Sequence, residues 1–312
     1  QDPFWWQGEP IWTTAEREGL TSAIMFWLGS EVEHDGLRPS VWTPYQHDKP
    51  YQERVDEVLD WFDAPEDDMP RLAAVYFDRV DSVAHRNGPE NQAVAEAVAE
   101  VDGYVGQLVE GLRARGLLET TNIIIVSDHG MAQLSDDRIV EVDQWIDFDR
   151  VYSPHMEGRW GAGAQPYIFL FSEEGEEAAI DDALAAINAS GNEHVMAYKA
   201  HEMPDHYHLD HPTRGPDLLV VAEAGWSLVA PSLEQRPRRI IPGNHGYDNM
   251  DPVMGALFVA AGPRFDGAGT VAPFENVNVY LMIACALGLD PAPTDGDPRE
   301  VARVTAGRCP AQ

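Results

Sequence analysis

Hydrophobic and polar positions along this chain form two kinds of block, which predict strands and helices in alternation. Short runs of β-branched and apolar residues between polar ones are typical of buried strands, whereas apolar residues three or four positions apart mark one face of a helix. Valines and leucines on one stripe of Pro89–Arg115 predict a long helix that Gly116 ends. Further helices are predicted at Tyr51–Phe62, Glu176–Ala189 and Asn276–Leu287, and strands at Ser22–Trp27, Arg71–Asp78, 122–127, Tyr167–Phe171, Val195–Tyr198, Asp217–Ala222 and Gly255–Ala261.

The order of these elements predicts an α/β layered fold with a mostly parallel central sheet. No internal repeat, low-complexity tract or linker divides the chain, so residues 1–312 are expected to form a single domain. The hydrophobic fraction of 44% is enough for a sizeable core. No apolar run approaches the roughly 18–20 residues that span a bilayer, and the sequence shows no signal peptide.

The charge of the chain is strongly negative, at −32 from 53 acidic and 21 basic residues. Such a surface repels nucleic-acid backbones and anionic membranes, which argues against a polynucleotide groove. If the substrate is itself an anion, bound divalent cations would invert the field locally. The two cysteines, Cys285 and Cys309, either pair or stay free, and their number does not decide the compartment.

Two metal-ligand side chains follow the apolar run that ends at Val126. Asp128 and His129 are placed where this strand is expected to end, and Gly130 allows a sharp turn behind them. Sites in α/β proteins form at the carboxyl ends of parallel strands. Taken alone, the tripeptide is equally compatible with an ordinary strand end followed by a polar turn.

Two further stretches offer the same ligand types. Asp81 and His85 are four residues apart after a predicted strand, so one helical turn would bring both toward one ion. His245 is bracketed by Gly243 and Gly246, which lets the loop approach a site closely. Each has an ordinary alternative, as a helix cap, a surface residue or a turn histidine. Together, mixed Asp and His ligands suit zinc, and two such ions side by side clamp a phosphoryl group.

The spacing of these ligands resembles that of the nucleotide pyrophosphatase/phosphodiesterase family of the alkaline phosphatase superfamily. The resemblance covers nearly the whole chain and implies an alkaline phosphatase-like three-layer sandwich with a two-zinc site. It implies that Asp81, His85 and His245 hold one zinc ion and that Asp128 and His129 help to hold the other. The motifs that carry it are Tyr76-x-x-x-x-Asp81-x-x-x-His85-x-x-Gly-Pro, Ser-Asp128-His129-Gly-Met, Gly-x-His245-Gly-Tyr-Asp-Asn, Gly8-Glu-Pro-Ile-Trp, Phe26-Trp-x-Gly-Ser, Tyr51-x-Glu-Arg-Val, Val101-Asp-Gly and Phe274-Glu-Asn-Val-Asn-Val-Tyr.

The resemblance also implies that part of the site precedes Gln1. In the family, one more ligand Asp and a Thr or Ser nucleophile come before the segment that resembles Gln1–Trp12. The fold is therefore expected to be incomplete at its N-terminus, with no nucleophile in these residues and a chain that is unstable alone, inactive, or both. Thr13 and Thr14 are interpreted as the cap of a helix rather than as nucleophiles.

The substrate is expected to be a nucleotide. Trp27 and Tyr45 correspond to family positions that line a nucleobase slot, where a flat ring stacks on any base; packing in the core or in a loop is the alternative for both. The resemblance implies hydrolysis of phosphoanhydrides or phosphodiesters, such as ATP to AMP and pyrophosphate, through a covalent nucleotidyl intermediate. Alternatives are a lysophospholipid or other alkyl phosphodiesterase, and an inactive metal- or nucleotide-binding fragment. A periplasmic or extracellular location is implied as well.

Overall fold

The computed structural model describes residues 3–156, 164–209, 211–230 and 240–310. The chain forms two compact units, each built from separate stretches. Unit 1 comprises Gln1–Asp78, Ala99–Ile125 and Phe258–Gln312, and unit 2 comprises Arg79–Val98 and Val126–Leu257. The single domain expected over residues 1–312 stays a prediction.

Helices and strands are interspersed along the described residues, so the predicted α/β class is confirmed. The helices are α1 Ile11–Arg17, α2 Tyr51–Trp61, α3 Arg79–Asn87, α4 Gln92–Ala114, α5 Ala178–Ser190, α6 Asn278–Leu287 and α7 Pro298–Val304. The strands are β1 Ser22–Met25, β2 Val41–Thr43, β3 Leu72–Val75, β4 Ile123–Val126, β5 Ala132–Gln133, β6 Ile139–Glu141, β7 Val151–Tyr152, β8 Tyr167–Ser172, β9 Val195–Lys199, β10 Leu218–Ala222, β11 Ser227–Val229, β12 Gly243–Asn244 and β13 Phe258–Ala261. The elements predicted from the apolar pattern are all present, with ends that differ by a few residues.

Unit 1 contains a parallel sheet in the order β2–β1–β3. Ala23 of the central strand pairs with Val41 on one side and Ala73 on the other, and β1 is buried along its whole length. The carboxyl ends of these strands share one edge of the sheet. The segment that follows β2 leaves this edge and carries Tyr45. The segment that follows β3 leaves the same edge and leads into α3.

Unit 2 contains a four-stranded antiparallel sheet in the order β7–β8–β10–β9. Its largest core includes Ile168, Leu170, Leu218 and Val220, all fully buried. The sheets are thus mixed, and the predicted predominance of parallel pairing holds for β1–β3 but not for this larger sheet. Apolar patterning shows which residues are buried, but it does not show the direction of the neighbouring strand.

The C-terminal part of unit 1 is held by a disulfide. Cys285 of α6 is bonded to Cys309, which follows α7, across 24 positions of sequence. Cys309 and Met282 belong to a core that also receives Phe258 of β13, the strand that pairs with β4. The structure thus settles a pairing that the cysteine count left open. Within the described residues, no helix has the length and apolarity required to span a bilayer.

The interpretation of Thr13 and Thr14 as helix caps is wrong. Helix α1 begins at Ile11, its N-cap is Pro10, and no side chain caps it. Both threonines lie inside the helix and are fully buried, and the Thr14 hydroxyl donates a 2.6 Å hydrogen bond to Glu9. A proline can precede the first turn because its fixed φ suits that position, so a hydroxyl cap is not required.

Candidate metal centre

Asp81 and His85 lie one turn apart on α3, the first helix of unit 2, which begins at Arg79. Nε2 of His85 is 3.3 Å from Oδ1 of Asp81, and both side chains are partly buried. The four-residue spacing therefore places the two ligand atoms together, as the sequence predicts. Because α3 starts at Arg79, Asp81 lies in the first turn of the helix rather than at its cap.

His245 reaches the same place from the segment that follows β12. This segment passes close to α3, since a β-carbon on Gly243 would lie 2.4 Å from the carbonyl oxygen of Ala84. The Gly243 carbonyl accepts a 2.8 Å hydrogen bond from Nδ1 of His85. This bond leaves Nε2 of His85 directed to Asp81, so the backbone of one segment orients the ligand on the other.

Asp81, His85 and His245 form a group whose ligand atoms all lie within 4.8 Å of one another. Oδ1 of Asp81 is 3.6 Å from Nε2 of His245, and this buried oxygen accepts no hydrogen bond from any described residue. Ligands about 2.0–2.1 Å from a tetrahedral zinc ion stand about 3.4 Å apart. The spacing and the unsatisfied carboxylate oxygen therefore fit a bound divalent cation.

The charges in this group also suit a cation. Burial by itself would raise the pKa of Asp81, but the neighbouring His85, His245 and His129 outweigh it and hold the pKa below its usual value. The contact with Asp81 raises the pKa of His85. Burial, together with His129, lowers the pKa of His245 to about 4. His245 is therefore neutral near pH 7, which leaves a ring nitrogen with a lone pair available to an ion.

Asp128 and His129 adjoin this group. The strand before them ends at Val126, and the following Ser127 is fixed to Leu257 by a 3.1 Å backbone hydrogen bond. Nε2 of His129 is 3.5 Å from Oδ2 of Asp128. The rings of His129 and His245 are stacked with centroids 3.5 Å apart. All five residues predicted as metal ligands thus form one contiguous cluster within unit 2; their binding of metal remains a prediction.

His129 is oriented by its own turn. Its Nδ1 donates a 2.8 Å hydrogen bond to the carbonyl oxygen of Gly130, which leaves Nε2 for Asp128 or an ion. The Gly130 N–H donates to the carbonyl oxygen of Met254 at 3.0 Å. A β-carbon on Gly130 would lie 2.0 Å from the Val253 carbonyl oxygen, so this position requires glycine. The sequence indicated the turn but not the backbone that lies against it.

The two residues predicted to contact a base belong to unit 1. Trp27 is 39% exposed and Tyr45 is 51% exposed, so packing in the core is wrong for both rings. Tyr45 lies on Phe26 and Tyr76, with ring centroids 5.5 and 6.3 Å away. Sequence reasoning assigned no role to the fully buried Arg54 beneath this group; its only signal was its place in the segment Tyr51-x-Glu-Arg-Val.

Comparison with known proteins places the chain in a family. The family model of type I phosphodiesterases/nucleotide pyrophosphatases matches residues 1–248. An uncharacterized pyrophosphatase/phosphodiesterase of Schizosaccharomyces pombe is 35% identical over 304 residues, which are 95% of this chain and 61% of that protein. Human ectonucleotide pyrophosphatase/phosphodiesterase family member 1 is 34% identical over 303 residues, covering 95% of this chain and 31% of that protein. The chain belongs to the type I phosphodiesterase/nucleotide pyrophosphatase family, whose named members are hydrolases.

Solved structures support the same assignment. Murine ectonucleotide pyrophosphatase/phosphodiesterase 5 superposes with a TM-score of 0.83 at 27% identity, covering 95% of this chain and 74% of that one. An inactive threonine-to-alanine variant of the murine protein was solved in complex with AMP. The expected family and fold class are thereby confirmed. The chain spans less than two thirds of the length of the S. pombe relative and of the human relative.

Proposed function

We propose that this protein is a two-zinc phosphodiesterase and nucleotide pyrophosphatase that converts ATP and water to AMP and pyrophosphate. The observation that carries the proposal is the cluster in unit 2, where Asp81, His85 and His245 present ligand atoms within 4.8 Å of one another. Membership of the family and the AMP complex of the murine relative support a nucleotide as substrate.

The roles of the five metal-ligand residues follow those that the family resemblance implies. Asp81, His85 and His245 would hold one zinc ion, and Asp128 with His129 would contribute to the second. Bound zinc would stabilise negative charge on the phosphoryl oxygens and activate the attacking oxygen. The backbone carbonyls of Gly243 and Gly130 keep His85 and His129 in the tautomer that leaves Nε2 free.

The hydrolysis is proposed to pass through a covalent nucleotidyl intermediate on a hydroxyl nucleophile. Thr13 and Thr14 do not serve this step, because both are fully buried inside α1. The nucleophile's oxygen loses its proton and bonds to the α-phosphorus, while the bond from this phosphorus to the oxygen that bridges it to the β-phosphorus breaks and pyrophosphate leaves. Water then adds to the α-phosphorus, AMP is released, and a proton from that water restores the hydroxyl.

A location outside the cytoplasm is also part of the proposal. The human relative is named an ectonucleotide enzyme, and the Cys285–Cys309 disulfide suits an oxidising compartment.

Product analysis tests the proposed activity. We expect purified protein that includes the hydroxyl nucleophile, loaded with zinc, to release AMP and pyrophosphate from ATP, and we expect a chelator to abolish the release because the metal ligands are then empty. Zinc added back should restore it. Release of ADP and phosphate would contradict the proposed bond cleavage, and no turnover in the presence of zinc would favour an inactive nucleotide-binding protein.

Replacing Tyr45 by alanine should weaken nucleotide binding. Stacking of one base on an aromatic ring contributes roughly 1–3 kcal/mol, so KM for a nucleotide ester should rise about tenfold with a smaller change in kcat. Steady-state kinetics measures both constants. Tyr152→Ala, at an exposed tyrosine of β7, is the matched control and should leave KM unchanged. An equal KM in wild type and Tyr45→Ala would contradict the role of this ring.

A further inference from the structure

The ring of Tyr45 is supported from below by two less exposed aromatic residues. Phe26 is 5% exposed and meets Tyr45 edge to face, with centroids 5.5 Å apart. Tyr76 is tilted against the same ring at 6.3 Å. Tyr45 itself is half exposed. The three rings therefore form a platform, which we call the Tyr45 platform, with one ring at the surface and two beneath it.

A buried arginine, Arg54, is hydrogen-bonded to the backbone of this platform. The side chain of Arg54 is fully buried, and its Nη1 donates a 2.8 Å hydrogen bond to the carbonyl oxygen of Tyr76. The same nitrogen lies 3.4 Å from Oδ1 of Asp78, and Nε donates to the carbonyl oxygen of Lys49 at 3.2 Å. Arg54 thus holds the backbone at two points, Lys49 and Tyr76.

Arg54 also stacks on the ring beneath Tyr45. Its guanidinium carbon lies 4.9 Å from the centroid of Phe26 and 4.6 Å from that of Tyr51. Phe26 has a φ of +63°, a left-handed conformation that is costly for a residue with a β-carbon. Such a conformation persists only where surrounding groups hold it. Arg54 is one of these groups, since its charged plane lies against the Phe26 ring.

Among the residues that the structure describes, Arg54 and Asp78 are the only charged residues that are buried. A buried charge is tolerated when it is paired, and Arg54 supplies the Asp78 carboxylate with a positive charge beside the 3.1 Å hydrogen bond that the Tyr51 hydroxyl donates. The charges of this pair also act on Tyr45. Burial and Asp78 both raise the pKa of the Tyr45 hydroxyl, and Arg54 opposes them. Without Arg54, the Asp78 carboxylate would lose that positive charge close to a surface that is proposed to accept an anionic nucleotide.

We propose that Arg54 is a positioning residue that makes the Tyr45 platform competent to bind a nucleobase. It holds Phe26 and Tyr76 against Tyr45, and it pairs with the carboxylate of Asp78. The inference rests on the proposed function, because that function assigns the base to Tyr45. It goes further by assigning selectivity for nucleotides over base-free phosphates to a residue that touches no substrate.

Calorimetric titration of two ligands tests the role of Arg54. AMP and ribose 5-phosphate share a phosphate and a ribose, and only AMP carries a base. With Arg54→Met, we expect the Kd of AMP to rise about tenfold, which is the range of one stacked base, and the Kd of ribose 5-phosphate to change less than about twofold. The variant keeps the volume and loses the charge and the hydrogen bonds.

Two further variants separate positioning from stability. The double variant Arg54→Met, Asp78→Asn removes both charges of the buried pair. It should fold and still lose at least about half of the base preference on a logarithmic scale, because the hydrogen bond from Arg54 to the Tyr76 carbonyl is absent. Met282→Ala removes a fully buried side chain from another core of unit 1. It should lower stability without changing the ratio of the two Kd values.

The outcomes distinguish this inference from the proposed activity. An unchanged ratio of the two Kd values in the Arg54 variants, or equal weakening of both ligands, would overturn the inference. So would wild-type protein that binds AMP no more tightly than ribose 5-phosphate, even if it hydrolyses ATP. A base preference that depends on Arg54, in protein that does not hydrolyse ATP, would uphold the inference and contradict the proposed function.

Discussion

Asp81→Asn is expected to lower the affinity of the protein for zinc by at least about 100-fold. Changes at residues that only orient a ligand already cost about 10–100-fold, and Asp81 would itself be a ligand. Oδ1 of Asp81 lies 3.3 Å from Nε2 of His85 and 3.6 Å from Nε2 of His245, so both histidines are next to this one oxygen atom. The amide replaces a carboxylate of nearly the same shape, which removes charge without opening a cavity.

Competition with a chromogenic chelator measures this affinity, and thermal unfolding measures it independently. Zinc at about 100 times its Kd stabilises a protein by about 2.7 kcal/mol, and a 100-fold weaker site would retain about 0.4 kcal/mol of that. Asp102→Asn, at an exposed position of α4, is the control and should bind zinc as the wild type does. Equal zinc affinities in Asp81→Asn and wild type would show that the cluster does not bind metal through this carboxylate.

Gly130→Ala is expected to reduce the free energy of unfolding by about 3 kcal/mol, the upper part of the range for an overpacked interior site. The added methyl group would lie 2.0 Å from the carbonyl oxygen of Val253, and this neighbour is backbone rather than a side chain that can rotate away. The Gly130 N–H donates a hydrogen bond to the carbonyl oxygen of Met254, so the turn cannot shift without losing that hydrogen bond. We expect zinc affinity to fall as well, because His129 precedes the displaced residue.

Urea unfolding checks this prediction against a matched glycine. Gly103 lies within α4, and apart from its chain neighbours and the backbone of its own helix, no atom lies within 4 Å of a β-carbon placed there. Gly103→Ala should therefore stabilise the protein by roughly 0.5–1 kcal/mol, since glycine in a helix interior is unfavourable. If Gly130→Ala unfolds at the wild-type urea concentration, the backbone at Val253 yields to the methyl group and the tight approach does not constrain the site.

Much of the metal cluster could be predicted from local sequence. Asp128 and His129 follow a run of β-branched residues, and a strand that ends there must present its next side chains at the edge of a sheet. Asp81 and His85 have the spacing of one helical turn, and α3 realises it. These inferences needed only the periods of strands and helices, which depend on backbone geometry and not on the rest of the fold.

The approach of His245 to α3 depends on contacts distant in sequence. His85 and Gly243 are 158 positions apart, yet the hydrogen bond between them orients the ring. A pattern of glycines around a histidine indicates that a loop can approach something closely, but not which residue it approaches. Only the family resemblance suggested that His245 and Asp81 share an ion.

The sequence by itself determined the ligand types, the elements that carry them, the α/β class and the family, because apolar periodicity and short motifs are local. The tertiary structure decided the antiparallel direction of the larger sheet, the Cys285–Cys309 pairing and the burial of Arg54 against Phe26. These depend on which distant segments pack together. A charged residue in a helix such as α2 is expected at the surface. The packed aromatic rings, Asp78 and the carbonyl oxygens of Lys49 and Tyr76 together make the burial of Arg54 favourable.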